Sequence, residues 1–241
     1  MKTRLILDGD RSGFLNMGID EALFTLSKEP ILRIYFWNPP CVTIGYFQSL
    51  EEELDMGKCK ELGIDYTRRI TGGGAVFHEN EITYSFICRI SERKEFSSIE
   101  KSYELICGGI VEALKAIGLD AMHVPINDVL ANGKKISGSA QTRRNGKLLQ
   151  HGTLILKLDA EKMFSILKVP EEKLKDKMIR NAKERVGEAA ITREKAQEIL
   201  VEGFGKALGL DYVESKASGE EMELARKLEK KFKSREWIFR R

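Results

Sequence analysis

Apolar residues recur along the first half of the chain with two spacings, which predict a mixture of helices and strands. A helical spacing of apolar positions predicts helices over 15–27 and 98–117, and Ser49 followed by glutamates predicts the capped start of another. The Gly108-Gly109 pair inside the longer helix predicts close packing against a neighbour. Runs of β-branched and aromatic residues predict strands at 31–37, 41–47, 66–70 and 82–90.

Two Asn-Gly pairs in the middle of the chain are typical of type I′ hairpin turns. They are Asn132-Gly133 and Asn145-Gly146. They separate apolar segments at 126–131, 134–143 and 147–158, so we predict an antiparallel meander of three strands. This order argues against a doubly wound parallel sheet, in which strands would alternate with helices.

The last third of the chain has a helical pattern. Helices are predicted over 160–168, 170–182, 192–208 and 219–232, with 209–218 as a connection. We therefore expect one domain over 1–241, with 160–241 as its mostly helical part. The predicted fold class is α/β (α+β), with a mixed, largely antiparallel sheet flanked by helices.

Composition narrows the function classes. Forty basic and 37 acidic residues give a net charge of only +3, which argues against a nucleic-acid partner. The absence of a long apolar run argues against a membrane span. The four cysteines include no CxxC pair, and the N-terminal segment carries charges instead of a signal peptide, so a cytoplasmic location is expected.

The densest cluster of candidate functional residues is the segment RRITGGGAVFH at 68–78. Its glycines let the backbone approach a ligand and turn N–H groups towards an anion. Arg68 and Arg69 can hold phosphate or carboxylate oxygens. A glycine triplet by itself is more commonly a flexible turn, and no GK[ST] follows to make a Walker loop.

Two further clusters lie in the predicted meander. One comprises Asn127-Asp128 and KKISGSAQ at 134–141, and the other is QHGT at 150–153. Neighbouring strands can bring both into one pocket, with Lys134 and Lys135 on opposite faces of their strand. The three histidines, at 78, 123 and 151, show no zinc-ligand spacing.

Together these segments resemble the lipoate–protein ligase A family, within the superfamily of biotin ligases and octanoyltransferases. GFLNMGIDEAL at 13–23, WNPPCVTIGYFQ at 37–48 and SREWIFRR at the C-terminus agree as well. The resemblance implies a biotin-ligase-like fold and an ATP-dependent, Mg²⁺-assisted activation of lipoate or octanoate to an acyl-adenylate. The acyl group would then pass to a lysine of a lipoyl carrier, either a glycine-cleavage H protein or an E2 subunit of a 2-oxo-acid dehydrogenase.

The resemblance also implies roles for individual residues, with Lys135 as the catalytic cation. The residues implied to bind ATP or the adenylate are Arg69, Gly74, Ala75, Val76, Phe77, Asn127, Asp128 and Lys135, with Asp128 also a candidate Mg²⁺ ligand. Those implied to bind the lipoyl group are Gly73, His78, Lys135 and His151. Val42, Ile44, Val76 and Phe77 are candidate walls of an acyl tunnel, although core packing is the more common role for each such residue.

Two departures from the family pattern keep alternatives open. Full-length ligases carry a small C-terminal domain that this sequence lacks, so a separate accessory subunit is expected. The sequence also resembles cysteine-dependent octanoyltransferases, which take octanoyl from acyl carrier protein, but the corresponding loop at 120–126 has no cysteine. A non-enzymatic subunit that binds the lipoyl-adenylate or the carrier and needs a partner for turnover is a third alternative. A biotin ligase is disfavoured, because its GRGRxGR-type loop is absent.

Overall fold

A computed structural model describes residues 1–168 and 172–240, without the side chains of 172–177. Within these residues the strands are β1 (Lys2–Arg11), β2 (Ile31–Trp37), β3 (Cys41–Ile44), β4 (Asp65–Arg68), β5 (Val76–His78), β6 (Glu81–Arg89), β7 (Ala121–Val124), β8 (Asp128–Ala131), β9 (Lys134–Arg144), β10 (Lys147–Ile155) and β11 (Asp211–Glu214). The helices are α1 (Gly13–Leu26), α2 (Leu50–Glu53), α3 (Met56–Glu61), α4 (Ile99–Ala116), α5 (Ala160–Ile166), α6 (Glu172–Arg185), α7 (Arg193–Leu208), α8 (Gly219–Lys233) and α9 (Arg235–Ile238).

Most of the strands belong to one mixed sheet. In the described part of the chain its order is β11-β1-β2-β6-β10-β9-β8-β7, and a smaller sheet has the order β4-β3-β5. Strands β11, β1 and β2 run parallel to one another. From β2 onward, each neighbouring pair in the order β2-β6-β10-β9-β8-β7 is antiparallel. The predicted meander is confirmed as β8-β9-β10.

The large sheet lies between two pairs of helices. Helices α4 and α7 pack on one face through an apolar cluster that includes Ile106 and Phe204. Helices α1 and α8 cover part of the other face, where Leu23 and Ala225 share a second cluster with strand residues. The predicted fold class is therefore confirmed.

Gly109, in the glycine pair of α4, lies at a close contact between α4 and α7. A Cβ at Gly109 would lie 2.5–2.8 Å from the ring of Phe204 on α7. No side chain fits there without displacing that ring, so the predicted close packing is confirmed.

Several predicted boundaries differ from the structure. The strand predicted over 41–47 ends at Ile44, because the Gln48 backbone N–H bonds to the Gly45 carbonyl in a turn. Ser49 makes no capping hydrogen bond, and α2 has only four residues. The connection predicted at 209–218 contains β11, which pairs with the unpredicted strand β1.

Helices α3 and α9 have no counterpart among the predicted elements. The short strands β5 and β7 were not predicted either. The predicted start of a helix at 170 lies outside the described residues. No helix among those described is long and apolar enough to cross a membrane.

Candidate active site

The three sequence clusters converge on one cavity of about 380 Å³ between the large sheet and the glycine-rich segment. That volume lies within the range typical of small-molecule sites, roughly 300–1,000 Å³. The predicted site residues that line it are Arg69, Gly73, Gly74, Ala75, Val76, Phe77, His78, Asn127, Lys135 and His151. Asp128 is not among the lining residues, but it contacts one of them.

Strand register explains how distant segments meet at this cavity. In the antiparallel ladder, Thr153 on β10 lies between Thr83 on β6 and Gly138 on β9. Glu81 pairs with Ile155 in the same way. Because side chains two positions apart share a face, the alternate residues of these strands form a continuous floor for the cavity.

Lys135 places its ammonium at the β9 side of the cavity. Its Nζ lies 2.7 Å from Asp128 Oδ1, an ion pair whose angles fall short of a hydrogen bond. The side chain is 43% exposed, so the ammonium remains accessible to a ligand. Lys134 instead reaches the Lys183 carbonyl on the surface. The two lysines therefore face opposite ways, as predicted.

Arg69 organises the glycine-rich segment from inside. Its guanidinium donates to the carbonyls of Gly72 and Gly74, to the Thr43 carbonyl and hydroxyl, and to the Thr71 hydroxyl. These contacts occupy all five N–H donors of an arginine. Burial lowers the pKa of Arg69 to about 10, which leaves it charged at neutral pH. Arg69 thus supplies positive charge to the cavity wall while holding the loop in shape.

Arg68 does not have the anion-binding role that the segment at 68–78 suggests. It is fully buried and donates to the carbonyls of Gly45, Tyr46 and Gln48. It also donates to the carbonyl of Ile238 in α9. The prediction that both arginines hold an anion is wrong for Arg68, because strand alternation turns it away from the cavity and into the protein.

His151 belongs to a buried charged network that sequence reasoning missed. Its Nδ1 lies 3.2 Å from Asp20 Oδ2, and its Nε2 lies 2.7 Å from the Thr71 hydroxyl. Asp20 also accepts from Arg33, which is completely buried. Burial would raise the pKa of Asp20, but the hydrogen bond with His151 and the charge of Arg33 outweigh it and leave the pKa lowered. The network holds His151 against the glycine-rich segment.

His78 belongs to a second network deeper in the cavity. Its Nδ1 lies 2.9 Å from Glu81 Oε1, and its Nε2 lies 2.8 Å from the Thr43 hydroxyl. The ring stacks on Trp37 with centroids 3.9 Å apart. Burial lowers the pKa of His78 even though Glu81 opposes the shift. The imidazole is therefore neutral. It forms part of the cavity wall without adding positive charge to the cavity.

The candidate apolar walls divide into two groups. Val76 and Phe77 line the cavity, whereas Val42 and Ile44 are fully buried in a separate core beneath the small sheet. Residues to which the sequence analysis gave no individual role also line it, among them Met17, Tyr35, Trp37, Thr43, Glu81 and Ser139. The segments at 13–23 and 37–48 carry several of them, so these matching motifs were the available signal.

The thiols lie away from the cavity. All four cysteines are free and buried, and none of them, all within the described residues, lines the cavity. Cys107 lies behind Ser139, with its Sγ 3.7 Å from the Ser139 hydroxyl, and Cys41 packs behind Met17, Tyr35 and Trp37. Burial raises the pKa of Cys107 to about 11, which disfavours the reactive thiolate.

The described residues contain no cluster of three or more histidine, cysteine or acidic side chains that could hold a metal ion. Asp128 offers one carboxylate near the cavity. Magnesium is commonly bound by one or two carboxylates together with substrate phosphates and water. Asp128 fits that pattern as a single ligand.

Comparison with known proteins agrees with this arrangement. A family model described as the lipoyl protein ligase A/B catalytic domain matches residues 12–209. The chain belongs to this family. It is therefore an enzyme of the lipoate ligase and transferase group, and the family predicted from the motifs is confirmed.

Relatives within the lipoyl protein ligase A/B family carry two different names. Octanoyltransferase LipM of Clostridioides difficile is 38% identical, covering 97% of each chain. A bi-partite lipoate protein ligase from Thermoplasma acidophilum superposes with a TM-score of 0.91 at 32% identity, covering 99% of this chain and 96% of that one. A lipoate-protein ligase A bound with ATP superposes with a TM-score of 0.86 at 29% identity, covering 99% of both chains.

The name of the LipM relative agrees better with the predicted alternative, an octanoyltransferase, than with the main prediction of an ATP-dependent ligase. ATP-dependent adenylation accordingly stays a prediction.

Proposed function

We propose that this chain catalyses the transfer of a lipoyl or octanoyl group from an acyl-adenylate to a lysine of a lipoyl carrier protein. One observation carries the proposal: the cavity presents the ammonium of Lys135 and none of the four thiols of the chain. Such a site can stabilise an activated acyl group by charge, but it has no cysteine to accept that group.

The chemistry of an adenylate suits these residues. When a carboxylate oxygen bonds to the α-phosphorus of ATP, the bond to the β-phosphate breaks and pyrophosphate leaves. This step brings two anions together, so a nearby cation stabilises it. The carrier lysine then attacks the carbonyl carbon, the bond to the phosphate oxygen breaks, AMP leaves and the amine loses a proton. In this proposal the Lys135 ammonium, which lines the cavity, binds the carbonyl and phosphate oxygens, and backbone N–H groups of the loop from Gly73 to Phe77 bind the phosphate. Magnesium, with Asp128 as one ligand, would supply further positive charge.

The likeness to the solved ligases supports this proposal. The bi-partite ligase matches nearly the full length of both chains. The alignment with LipM of C. difficile runs over 263 positions, which exceeds the 241 residues of this chain while covering 97% of both. LipM therefore contains internal residues that have no counterpart here.

Octanoyl transfer from acyl carrier protein is the second candidate, because the LipM relatives are named for it. A thioester route needs a nucleophilic cysteine within reach of the acyl group. Cys107 would have to pass Ser139 to serve, so the geometry favours the adenylate route.

The partners follow from the same proposal. The T. acidophilum ligase is described together with its E2 lipoyl domain. We propose that an E2 lipoyl domain or a glycine-cleavage H protein is the acceptor here. Because that ligase is bi-partite, we further propose that a separate small subunit assists ATP-dependent adenylation.

A comparison of acyl donors tests the function. Apo-lipoyl domain is incubated with this chain and either lipoate, ATP and Mg²⁺ or octanoyl acyl carrier protein, with and without a candidate small subunit. Intact-mass spectrometry then measures the modified carrier. We expect ATP-dependent lipoylation and no transfer from the acyl carrier protein. Octanoylation of the lipoyl domain by octanoyl acyl carrier protein, without lipoylation from lipoate and ATP, would favour the second candidate.

A further inference from the structure

Glu81 lies at the start of β6, in a part of the cavity wall to which neither the sequence motifs nor the chemistry of the adenylate gives a role. Its side chain is only 5% exposed, and the residue lines the cavity. Oε1 accepts two hydrogen bonds, from His78 Nδ1 at 2.9 Å and from the Thr83 hydroxyl at 2.8 Å. Oε2 is buried and has no hydrogen-bond donor among the described residues.

The neighbouring hydrogen bonds fix the direction of every proton around this carboxylate. Trp37 Nε1 donates to the Thr83 hydroxyl oxygen, so the hydroxyl proton of Thr83 points to Glu81. A carboxylate oxygen only accepts, so the proton of the neutral imidazole is assigned to Nδ1, directed at Glu81. His78 Nε2 then accepts from the Thr43 hydroxyl, whose oxygen accepts from Arg69. The His78 N–H and the Thr83 hydroxyl therefore both donate to Oε1, and neither donates to Oε2.

A buried acceptor without a donor is costly, so a ligand that supplies a donor gains from it. The desolvation cost of such an orphan group is about 1–3 kcal/mol, and more for a charged one. An apolar ligand end against Oε2 would leave that cost in place. A hydroxyl or thiol would remove it.

The position of Glu81 matches the far end of a bound acyl chain. The ammonium of Lys135 lies beside Gly138, 3.5 Å from where a Cβ of that glycine would be. Thr83, the neighbour of Glu81 on the same face, is two strands away across the register. Two inter-strand spacings amount to about 10 Å to Thr83, and Glu81 lies two residues, about 7 Å, further along β6. An extended medium-chain acyl group with its carboxyl at Lys135 can therefore span the floor of the cavity to the Glu81 side chain.

We infer that Glu81 selects medium-chain acids that carry a hydrogen-bond donor at the end remote from the carboxyl group, such as a terminal hydroxyl or the thiols of reduced lipoate. The inference rests on the proposed function for the orientation of the acyl group. Its consequence is a preference among acids of similar length that apolar packing alone does not produce.

Binding of free acids without ATP tests the inference. Isothermal titration calorimetry compares octanoate with 8-hydroxyoctanoate, and oxidised lipoate with reduced lipoate. We expect 8-hydroxyoctanoate to bind about ten-fold more tightly than octanoate or better, because the hydroxyl meets a charged acceptor. Reduced lipoate should show a smaller preference over oxidised lipoate, since a thiol is a weaker donor. Equal affinities within both pairs would overturn the inference.

Two variants separate the role of Glu81 from a general effect of charge. In Glu81→Gln the donors from His78 and Thr83 hold the amide oxygen at the Oε1 position, which puts an N–H group where Oε2 was. The preference for reduced lipoate should then disappear or reverse. Glu79→Gln removes a carboxylate at the rim of the cavity that pairs with Lys162, and it should keep the wild-type preferences. If Glu81→Gln keeps them too, or if Glu79→Gln loses them, the inference is wrong.

The outcome stays informative whether or not the proposed function holds. Free-acid affinities require neither ATP nor a carrier, so a failure of ligation leaves this comparison intact. Conversely, ligation without any preference among these acids would remove the role of Glu81 alone.

Discussion

Replacing Lys135 with alanine is expected to lower the rate of acyl transfer to the carrier by on the order of 10² or more, the usual effect of removing one electrostatic stabiliser. The ammonium lies in the cavity beside Gly138 and is held by Asp128. Its charge is available to the carbonyl and phosphate oxygens as negative charge develops there. Arg69 cannot replace it, because its N–H donors are engaged by the loop.

Lys134→Ala is the matched control for this substitution. It removes the same side chain from the adjacent position, where Lys134 faces solvent and contacts the Lys183 carbonyl. Initial rates of carrier modification should be close to wild type for Lys134→Ala and reduced for Lys135→Ala, with both proteins equally folded by circular dichroism. Undiminished modification by Lys135→Ala would refute the role assigned to this lysine. A subunit that only binds the adenylate or the carrier, without turnover, would give no enzyme-dependent rate to reduce.

Asp20→Ala should destabilise the fold by about 3–5 kcal/mol, the usual cost of removing one partner from a buried ion pair. Asp20 is 1% exposed and accepts from Arg33, Tyr35 and His151. Its loss leaves Arg33, which has no exposed surface, with less compensation for its charge. It also releases His151 from one side, so the contact with Thr71 should loosen.

Urea denaturation measures the free energy of unfolding of this variant. Asp10→Ala is the control, because Asp10 forms an exposed ion pair with Arg193, and such pairs contribute about 0–1 kcal/mol. The lowered pKa of Asp20 adds a pH signature: its stabilisation is present above the unfolded pKa, about 3.9, and is lost as pH falls through the folded value. Equal stability of the two variants would show that the buried network contributes little.

The sequence pattern predicts the large elements of the fold for identifiable reasons. Helix α4 has an apolar stripe long enough to be unambiguous, and the two Asn-Gly turns determine the pairing of β8, β9 and β10. Strands β7 and β11 have four residues each, too short for a period to be distinguished from a loop. Both are edge strands whose conformation comes from their neighbours.

The sequence also predicts the position of some residues of the candidate site but not of others. Strand alternation is enough to place Lys134 and Lys135 on opposite faces. It does not indicate in advance which of Arg68 and Arg69 faces the cavity, because Arg68 is the last residue of the short strand β4 and Arg69 follows it directly. Asp20 lies in the buried helix α1, and its contact is with His151, which is 131 positions later in the chain. The sequence pattern around Asp20 does not indicate that pairing.

The two names found among relatives correspond to one difference in chemistry. A ligase presents an adenylate to the incoming lysine, whereas a cysteine-dependent transferase first forms an acyl-enzyme. The position of the thiols is the feature that separates them, and here all four are buried outside the cavity.

The most direct measurement supplies synthetic lipoyl-AMP to this chain and an apo-lipoyl domain, without ATP, and records the intact masses of both proteins. The proposed function predicts that the lipoyl domain gains one lipoyl group while the chain itself stays unmodified. An acyl group bound covalently to one of the four cysteines, or transfer from octanoyl acyl carrier protein but not from lipoyl-AMP, would contradict it.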